Sequence, residues 1–276
     1  MHMPHEHAIA ALPFRPLVVK YGGNAMSSDR ESTDPLLEEV ARLHAEGNAV
    51  VIVHGGGPEI DRELAQRGIV TRRIDGLRVT DAATLDVTEA VLCATLNKRL
   101  VRAFQALGIR AVGISGQDGP TLVAERIAPS ATSDLGYVGA ITKTDPRLLR
   151  ALLTAGFLPV VAPLAIAHDC AHAYNVNADL AAAAIAATLG ARALVIVTNV
   201  ARVLRDLDDP SSGIDCLSLR EAEMFAASDA CRESMRPKLR AAIAAVAGGA
   251  DIAYICAAAP GAIQDAIDGN ATRVTH

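Results

Sequence analysis

The sequence predicts an α/β protein whose mainly parallel sheet is covered by helices on both faces. Short apolar runs recur along the chain and are separated by segments of helical periodicity, as expected when strands and helices alternate. The runs are apolar on both of their sides, which is typical of strands that lie beneath two layers of helices. The 276 residues are enough for one large domain or two modest lobes.

Six brief runs rich in β-branched residues are predicted as strands. In chain order they are PLVVKY (16–21), AVVIVHG (49–55), RAVGISG (110–116), FLPVVAPLA (157–165), ALVIVTNV (193–200) and DIAYICAA (251–258). Residues 81–107 have helical periodicity and predict one helix. The side chains expected on its apolar face are Leu85, Ala90, Leu92, Leu96, Leu100 and Phe104. Residues 118–145 are expected to form a hairpin or flap around LGYVG, and residues 206–215 a surface loop.

Composition excludes several classes of protein. A net charge of −5, with 3% aromatic residues and no tryptophan, argues against binding to nucleic acid. The apolar stretch 180–198 is broken by Gly190 and Arg192, so it predicts a helix, a turn and a buried strand instead of a membrane span. Five scattered cysteines without a C-x-x-C pair, and a start without signal-peptide features, favour reduced, mostly structural thiols in the cytoplasm.

Glycines follow three of the predicted strands, at Gly22–Gly23, Gly55–Gly57 and Gly113–Gly116. Ligands of parallel sheets bind beyond the carboxyl ends of the strands. In HGGGPEI (54–60) we expect the glycines to turn with positive φ and to leave their N–H groups uncovered, while Pro58 suits the first turn of a helix. This pattern predicts a seat for an anion; the alternative is a tight strand-to-helix turn without a ligand.

The usual nucleotide signatures are missing, since neither G-x-x-x-x-G-K-[S/T] nor a G-x-G-x-x-G after a strand occurs. Lys20 instead ends the first predicted strand, directly before two glycines. Its ammonium group could lie beside the anion that the second glycine turn contacts. A lysine at such a position is also often only a charge at the edge of a sheet, so Lys20 alone does not define a site.

Seven segments, in this order, resemble acetylglutamate kinases of the amino acid kinase superfamily. They are VVKYGGNAM (18–26), VIVHGGGPEI (51–60), DGLRVTDAATLDV (75–87), LNKRL (96–100), AVGISGQDG (111–119), LGYVG (135–139) and YNVNADLAAAAIAATLGA (174–191). The similarity weakens after Val200 and returns at SMRPK (234–238) and NATRV (270–274). The resemblance implies ATP-dependent phosphorylation of the side-chain carboxylate of N-acetyl-L-glutamate, a step of arginine biosynthesis.

The same resemblance implies an open αβα sandwich with two lobes. Residues 1–174 would form the N-terminal lobe that binds the acyl amino acid, and residues 175–276 the C-terminal lobe that binds Mg-ATP. Lys20 and Lys238 would flank the transferred phosphoryl group, and Asp179 would hold the two lysines in position. The protein itself would supply no metal site, because Mg²⁺ would arrive with the nucleotide.

For the substrate, the resemblance implies contacts from five residues. Gly23, Gly56 and Gly57 would donate backbone N–H groups to the phosphoryl group or to the acceptor carboxylate. Arg78 would clamp the α-carboxylate, a task suited to its planar fork of donors. Asn175 would bind the substrate's amide or carboxylate.

For the nucleotide, the resemblance points to Thr198, Asn199, Arg202 and Leu204, but the chain departs from the family pattern here. Asn199 stands where the family usually has aspartate, Arg202 where it has glycine, and Arg205 where it has aspartate. Both arginines either contact nucleotide phosphates, narrow the pocket, or point into solvent. Glu233 and Ser234 likewise replace two glycines before the late lysine.

Two other functions stay open at this point. A sister kinase would phosphorylate aminoadipate or glutamate attached to an acidic carrier protein, for which RGIVTRRIDGLR (67–78) offers a basic patch. The intact HGGGPEI and YNVNAD segments favour the free acetylated substrate. A regulator that kept only the acyl-amino-acid pocket is the other alternative. Since about fifteen residues precede the first predicted strand, we expect a homodimer without arginine feedback.

Overall fold

A computed structural model describes residues 14–22, 34–74, 76–128, 134–206 and 208–276. The strands are β1 (Leu17–Tyr21), β2 (Val50–His54), β3 (Arg73–Ile74), β4 (Leu77–Arg78), β5 (Ala111–Ser115), β6 (Leu122–Arg126), β7 (Gly139–Thr144), β8 (Leu158–Ala162), β9 (Leu164–Ala167), β10 (Ala173–Asn175), β11 (Ala193–Thr198), β12 (Cys216–Ser218), β13 (Ala253–Ala257) and β14 (Thr272–Thr275). The helices are α1 (Pro35–Ala45), α2 (Gly57–Gln66), α3 (Ala82–Glu89), α4 (Asn97–Ala106), α5 (Arg147–Thr154), α6 (Ala178–Leu189), α7 (Leu219–Ala227), α8 (Arg236–Ala247) and α9 (Ala262–Ile267). A π-helical segment, Ala90–Leu96, joins α3 to α4.

The largest sheet in the described residues has eight strands in the order β12-β14-β13-β11-β1-β2-β8-β5. Neighbouring strands are parallel throughout, except for β13 and β14. The mainly parallel α/β architecture is therefore confirmed. Strands before and after residue 174 share this one sheet, and the boundary between the two lobes stays a prediction.

Side-chain alternation along β1 divides the interior into two cores, one on each face of the sheet. Val18 packs into a core with α6 and α8. Leu17, Val19 and Tyr21 pack into the opposite core with α1, α4 and α9. Because the side chains of a strand point alternately to its two faces, an apolar strand can bury both sides only in such an αβα sandwich.

The alanine-rich helix α6 carries the longest apolar stretch of the chain. The Asn177 side chain caps its start by accepting from the amides of Asp179 (2.8 Å) and Leu180 (3.1 Å). Gly190 ends the helix in the left-handed conformation, with φ 60°, and β11 follows. The predicted helix, turn and buried strand are confirmed. Within the part of the chain that has a described structure, every helix is too short or too polar to cross a bilayer.

The helix predicted over residues 81–107 forms, but its register shifts in the middle. Leu85, Leu92 and Leu96 are buried in a third core against α2, whereas Leu100 and Phe104 enter the core beneath the sheet. Ala90 is exposed, so its predicted place on the apolar face was wrong. The π-helical hydrogen bonds from Ala90 onward add an extra residue to the turn and displace the face.

Strands β6 and β7 pair antiparallel, which confirms the hairpin expected within residues 118–145, while residues 129–133 lie outside the described residues. This hairpin belongs to a second sheet of the described residues, with the order β10-β9-β6-β7. The run 157–165 was predicted as one strand, and this was wrong: Pro163 separates β8 of the large sheet from β9 of the small one. Proline has no N–H with which to continue a ladder.

All five cysteines are free thiols. Cys231 and Cys256 are buried, as expected of structural thiols, and burial raises the pKa of Cys256 to about 12. Cys170 and Cys216 are exposed, so the structural reading does not extend to them.

One buried carboxylate connects two helices on the face of the sheet that carries α1. Glu39 of α1 accepts hydrogen bonds from the amides of Ile263 (3.1 Å) and Gln264 (2.8 Å) at the start of α9. The first amides of a helix have no acceptor within the helix, so Glu39 supplies the missing partner.

We expect Glu39→Gln to lower the free energy of unfolding by about 1–3 kcal/mol, because one buried amide loses its acceptor oxygen. Urea unfolding measures this change. Glu38→Gln is the matched control, since Glu38 is its exposed neighbour and should change stability by less than about 0.5 kcal/mol. Equal losses for the two variants would contradict this role of Glu39.

Candidate active site

The carboxyl ends of three adjacent strands define one edge of the large sheet. Tyr21 of β1 lies beside His54 of β2 and Val197 of β11. A cavity of about 270 Å³ opens at this edge. Eight of the residues predicted for the site line it: Lys20, Gly56, Gly57, Arg78, Asn175, Asp179, Thr198 and Lys238. Residues far apart in the sequence thus meet at one place, while Gly23 lies outside the described residues.

Asp179 connects the two predicted lysines. Lys20 Nζ lies 2.7 Å from Asp179 Oδ1, and Lys238 Nζ lies 3.5 Å from Oδ2. Alternation along β1 directs Lys20 to the same face as Val18, where the first turn of α6 presents Asp179. Lys238 comes from the first turn of α8, which packs against α6. One carboxylate therefore holds two ammonium groups at the edge of the cavity.

The charges of this trio depend on one another. Burial alone would raise the pKa of Asp179, but Lys20 and Lys238 together hold it below its usual value. A helix N-terminus favours an anion such as Asp179 and disfavours a cation such as Lys238. Lys238 Nζ also lies within 3.5 Å of the Ser234 carbonyl oxygen. Two cations against one anion leave an excess positive charge, which suits an anionic ligand.

The glycine turn after β2 differs from its sequence-based prediction. Gly56 is extended (φ 178°), and Gly55 and Gly57 are absent from the residues with positive φ, so the expected φ was wrong. Space explains Gly56 instead, because a Cβ there would lie 2.4 Å from Leu96 Cδ1 and 2.8 Å from Leu92 Cδ2. A Cβ on Gly57 would meet no atom within 4 Å. The turn leads directly into the N-terminus of α2, whose first amides have no acceptor within the helix.

Gly56→Ala should lower the free energy of unfolding by about 1–3 kcal/mol, because the new methyl group overpacks two buried leucines. Gly57→Ala should leave stability unchanged, since its methyl group would enter open space. Thermal unfolding of the pair measures both effects. Equal destabilisation by the two substitutions would show that packing against the π-helical segment does not explain Gly56.

His54 lies beneath this turn without any solvent exposure. Burial lowers its pKa to about 4; the hydrogen bond with Gly55 opposes that shift, and nearby Arg99 adds to it. Lys98 is a further cation near His54: its Nζ lies 3.3 Å from Oδ1 of Asn97, whose Nδ2 contacts His54. The imidazole is therefore neutral at physiological pH.

A lowered histidine pKa makes stability depend on pH. Between pH 6.5 and 4, His54 is protonated in the unfolded chain but not in the folded protein. The free energy of unfolding therefore falls as the pH falls through this window. From pH 7 to pH 5 this group should remove about 2 kcal/mol. Urea unfolding at both pH values, compared with His54→Asn, isolates this contribution. The same pH dependence in both proteins would refute it.

Arg78 is held by a second carboxylate. Its guanidinium donates to Asp61 and to the carbonyl oxygen of Gly57 (3.2 Å). Arg73, on the other side of Asp61, pairs with it at 2.6 Å and also lines the cavity. Burial opposes the shift, but hydrogen bonds from both arginines lower the pKa of Asp61. Sequence reasoning missed Arg73 and Asp61 as site residues, although it singled out the basic segment 67–78.

Asn175 lies between the cavity and the LGYVG turn. Its side-chain Nδ2 donates to Thr80 Oγ1 (3.2 Å), and its backbone amide donates to the Tyr137 carbonyl oxygen (2.9 Å). Gly136 of the turn has φ +66°, and a Cβ there would lie 2.2 Å from Thr80 O. Only glycine fits that approach, so the turn closes against Thr80 and fixes Asn175.

The residues predicted for the nucleotide do not lie together. Thr198 lines the first cavity, whereas Arg202 and Leu204 line a second cavity of about 690 Å³ together with Phe225 and Met235. Asn199 is exposed and is not among the lining residues of either cavity.

The two arginines that depart from the family pattern differ from each other. Arg202 is half-buried, pairs with Asp215 and packs against Gly213, so it forms part of the wall of the second cavity. Arg205 is exposed and is not among the residues that line that cavity. Glu233 and Ser234 are also exposed.

The chain is similar to known proteins in both sequence and fold. The model of the amino acid kinase family matches residues 15–257, and the chain therefore belongs to that family. The protein is accordingly a phosphotransferase. Giardia carbamate kinase shares the fold, with a TM-score of 0.69 at 18% identity over 95% of this chain and 98% of that chain.

Closer relatives are acetylglutamate kinases, which confirms the resemblance found in the sequence. The enzyme of Rhizorhabdus wittichii is 42% identical over 265 residues, covering 91% of this chain and 86% of its own length. The chloroplastic enzyme of Arabidopsis thaliana is 40% identical, covering 89% and 71%. N-acetylglutamate synthase from Neisseria gonorrhoeae, solved with coenzyme A and N-acetyl-glutamate, has a TM-score of 0.78 at 26% identity; this chain spans 59% of its length.

Proposed function

We propose that this protein is an acetylglutamate kinase: it transfers the γ-phosphoryl group of ATP to the side-chain carboxylate of N-acetyl-L-glutamate. A carboxylate oxygen attacks the γ-phosphorus, the bond from phosphorus to the bridging oxygen of ADP breaks, and an acyl phosphate and ADP result. The reaction is a step of arginine biosynthesis. Similarity to acetylglutamate kinases at about 40% identity over most of the chain is the observation that carries the proposal.

The charges of the cavity suit a dicarboxylic substrate. Lys20 and Lys238 make one positive pole with Asp179, and Arg73 and Arg78 make another with Asp61. The arginine pole would hold the α-carboxylate, because a planar guanidinium binds a carboxylate with two parallel bonds. The lysine pole would receive the side-chain carboxylate beside the phosphoryl group. Asn175 would bind the acetyl amide.

The transfer step needs positioning and charge neutralisation more than covalent help. A carboxylate and a phosphoryl group repel each other, and Lys20 and Lys238 would offset that repulsion. The amides of Gly56 and Gly57, and of Gly23 outside the described residues, would donate to the same anions. Asp179 would keep the two ammonium groups together without contacting the substrate.

The second cavity supports a place for the nucleotide. Its apolar walls, which include Leu204, Phe225 and Met235, suit a base, while Arg202 and Arg232 offer positive charge. Thr198 lines the first cavity with the two lysines, and Asn199 follows it in the chain directly before Val200 of the second cavity; Mg²⁺ would come with the phosphates. Among the described residues, those that line the second cavity fall within 200–235, which supports a nucleotide lobe within residues 175–276; residues 1–174 would then form the acyl-amino-acid lobe.

Trapping of the acyl phosphate with hydroxylamine tests the reaction. With Mg-ATP and N-acetylglutamate the protein should produce ADP and a hydroxamate in equal amounts. Acetylaspartate, glutamate and carrier-bound aminoadipate are the other acceptors. A hydroxamate from the carrier-bound acceptor, but not from acetylglutamate, would assign the chain to the sister kinase.

Changing Lys20 or Lys238 to Met should lower kcat by about 100-fold or more, with a smaller change in the KM of acetylglutamate. The charge of each lysine matters most while the phosphoryl group is in transit. Arg78→Ala is the contrasting variant and should mainly raise that KM. A near-normal kcat in either lysine variant would remove that lysine from the mechanism.

The proposal also covers the oligomeric state and the cellular location of the protein. We expect a homodimer in the cytoplasm without feedback inhibition by arginine. Sedimentation equilibrium measures the oligomeric state, and adding arginine to the hydroxamate assay tests the feedback. A hexamer that arginine inhibits would contradict both expectations.

A further inference from the structure

His54 is a buried side chain next to the site that the proposed reaction does not use. Its Nδ1 lies 3.0 Å from the carbonyl oxygen of Gly55, and its Nε2 lies 3.3 Å from Nδ2 of Asn97. A carbonyl oxygen can only accept and an amide NH₂ can only donate. The neutral imidazole must therefore carry its proton on Nδ1, with Nε2 as acceptor.

Asn97 connects this imidazole to two neighbouring strands. It is 1% exposed and begins α4 directly after the π-helical segment. Its Nδ2 donates to the carbonyl oxygens of Val160 in β8 (2.8 Å) and Ile114 in β5 (3.1 Å), in addition to His54. The two hydrogens of this NH₂ group are shared among three acceptors, and these contacts fix the orientation of the amide.

Gly113 provides the space for that amide. A Cβ at this position would lie 1.8 Å from Asn97 Oδ1, so any other residue would displace Asn97. Lys98 Nζ donates to the Gly113 carbonyl oxygen (2.9 Å) and to Asn97 Oδ1 (3.3 Å). Gly113 does not line the cavity, and packing around Asn97 accounts for it instead of direct contact with an anion.

A planar peptide carries the effect of these contacts to the cavity. The carbonyl of Gly55 and the N–H of Gly56 belong to one trans peptide, so they point in opposite directions. When His54 holds the carbonyl oxygen, the N–H of Gly56 must point away from the imidazole. Gly56 itself lines the cavity.

We propose that His54, Asn97 and Gly113 are positioning residues that aim the N–H of Gly56 at the anion bound in the cavity. This inference rests on the proposed function, because the anion is the phosphoryl group or the acceptor carboxylate of that reaction. None of the three residues touches the reacting atoms. Together they set the direction of a donor that does.

Two substitutions of His54 separate this role from simple core packing. In His54→Asn the side-chain NH₂ lies near the former Nδ1 and can still donate to Gly55. In His54→Gln the amide lies near the former Nε2, and the bond to Gly55 is lost. We expect kcat within about threefold of wild type for His54→Asn and about 10- to 100-fold lower for His54→Gln, with the ATP KM unchanged in both. Equal activities, or the reverse order, would overturn the proposal.

His54, Asn97 and Gly113 together form a relay to Gly56, and Gly113→Ala tests this relay at its other end. The added methyl group displaces Asn97, which frees the imidazole to take the Nε2–H tautomer and lose its bond to Gly55. We therefore expect kcat to fall by a factor similar to that of His54→Gln, although residue 113 is outside the cavity. Glu39→Gln is the control, because it removes a buried hydrogen bond between α1 and α9 whose residues do not line the cavity, and it should lower stability without changing kcat. A folded Gly113→Ala protein with wild-type kcat would overturn the proposal.

Nuclear magnetic resonance of the protein without substrates keeps the relay separate from the reaction. The imidazole of His54 should show the Nδ1–H tautomer, and the amide ¹⁵N shift of Gly56 should move in His54→Gln but not in His54→Asn. These results would support the relay even if wild type phosphorylates no acetylglutamate, an outcome that would refute only the proposed reaction. An Nε2–H tautomer would overturn the relay, whatever the activity.

Discussion

The ion pair between Lys20 and Asp179 joins the two halves of the site, and much of the molecule serves to bring these groups within 2.7 Å of each other. Two buried charges need mutual compensation, because removing either from water is costly. The sheet supplies Lys20 from a central strand, and α6 supplies Asp179 from its first turn. Lys238 adds the third charge from α8. Three elements must therefore fold and pack before the site exists.

Close packing of small residues between α6 and α8 brings Asp179 and Lys238 near each other. Helix α6 carries fully buried alanines such as Ala182 and Ala186, and α8, which packs against it, carries Ala241 and Ala245, which are also fully buried. Because alanine side chains are short, the two helix axes can approach and their first turns come to the same edge of the sheet. The alanines of α6 and α8 therefore help to bring Asp179 and Lys238 close together.

The π-helical segment constrains the glycine turn after β2. Leu92 and Leu96 leave no room for a side chain on Gly56. Asn97, the residue after Leu96, contacts His54 through its side-chain amide. An ordinary α-helical register would rotate these side chains relative to one another. The glycine turn is therefore held between an apolar contact and a hydrogen-bonded imidazole, and its amides are set before any ligand arrives.

Sequence patterns alone determined the class of fold, five of the six predicted strands (β1, β2, β5, β11 and β13) and the family of the protein. Apolar strands and ordered glycine motifs involve residues that are neighbours in the chain, so the sequence shows them directly. The resemblance to the family also named eight residues that meet at one cavity, although their spacing in the sequence does not show that they meet.

Only the tertiary structure decided which residues share a charge or a space. It placed Ala90 in solvent, ended a strand at Pro163, and assigned Gly56 to packing against two leucines instead of to a positive φ. It also revealed Asp61 and Arg73 beside Arg78, and Asn97 beside His54. Each of these depends on contacts between segments distant in the chain. Register, close approach and charge pairing are set by such contacts, and no periodicity within a single segment encodes them.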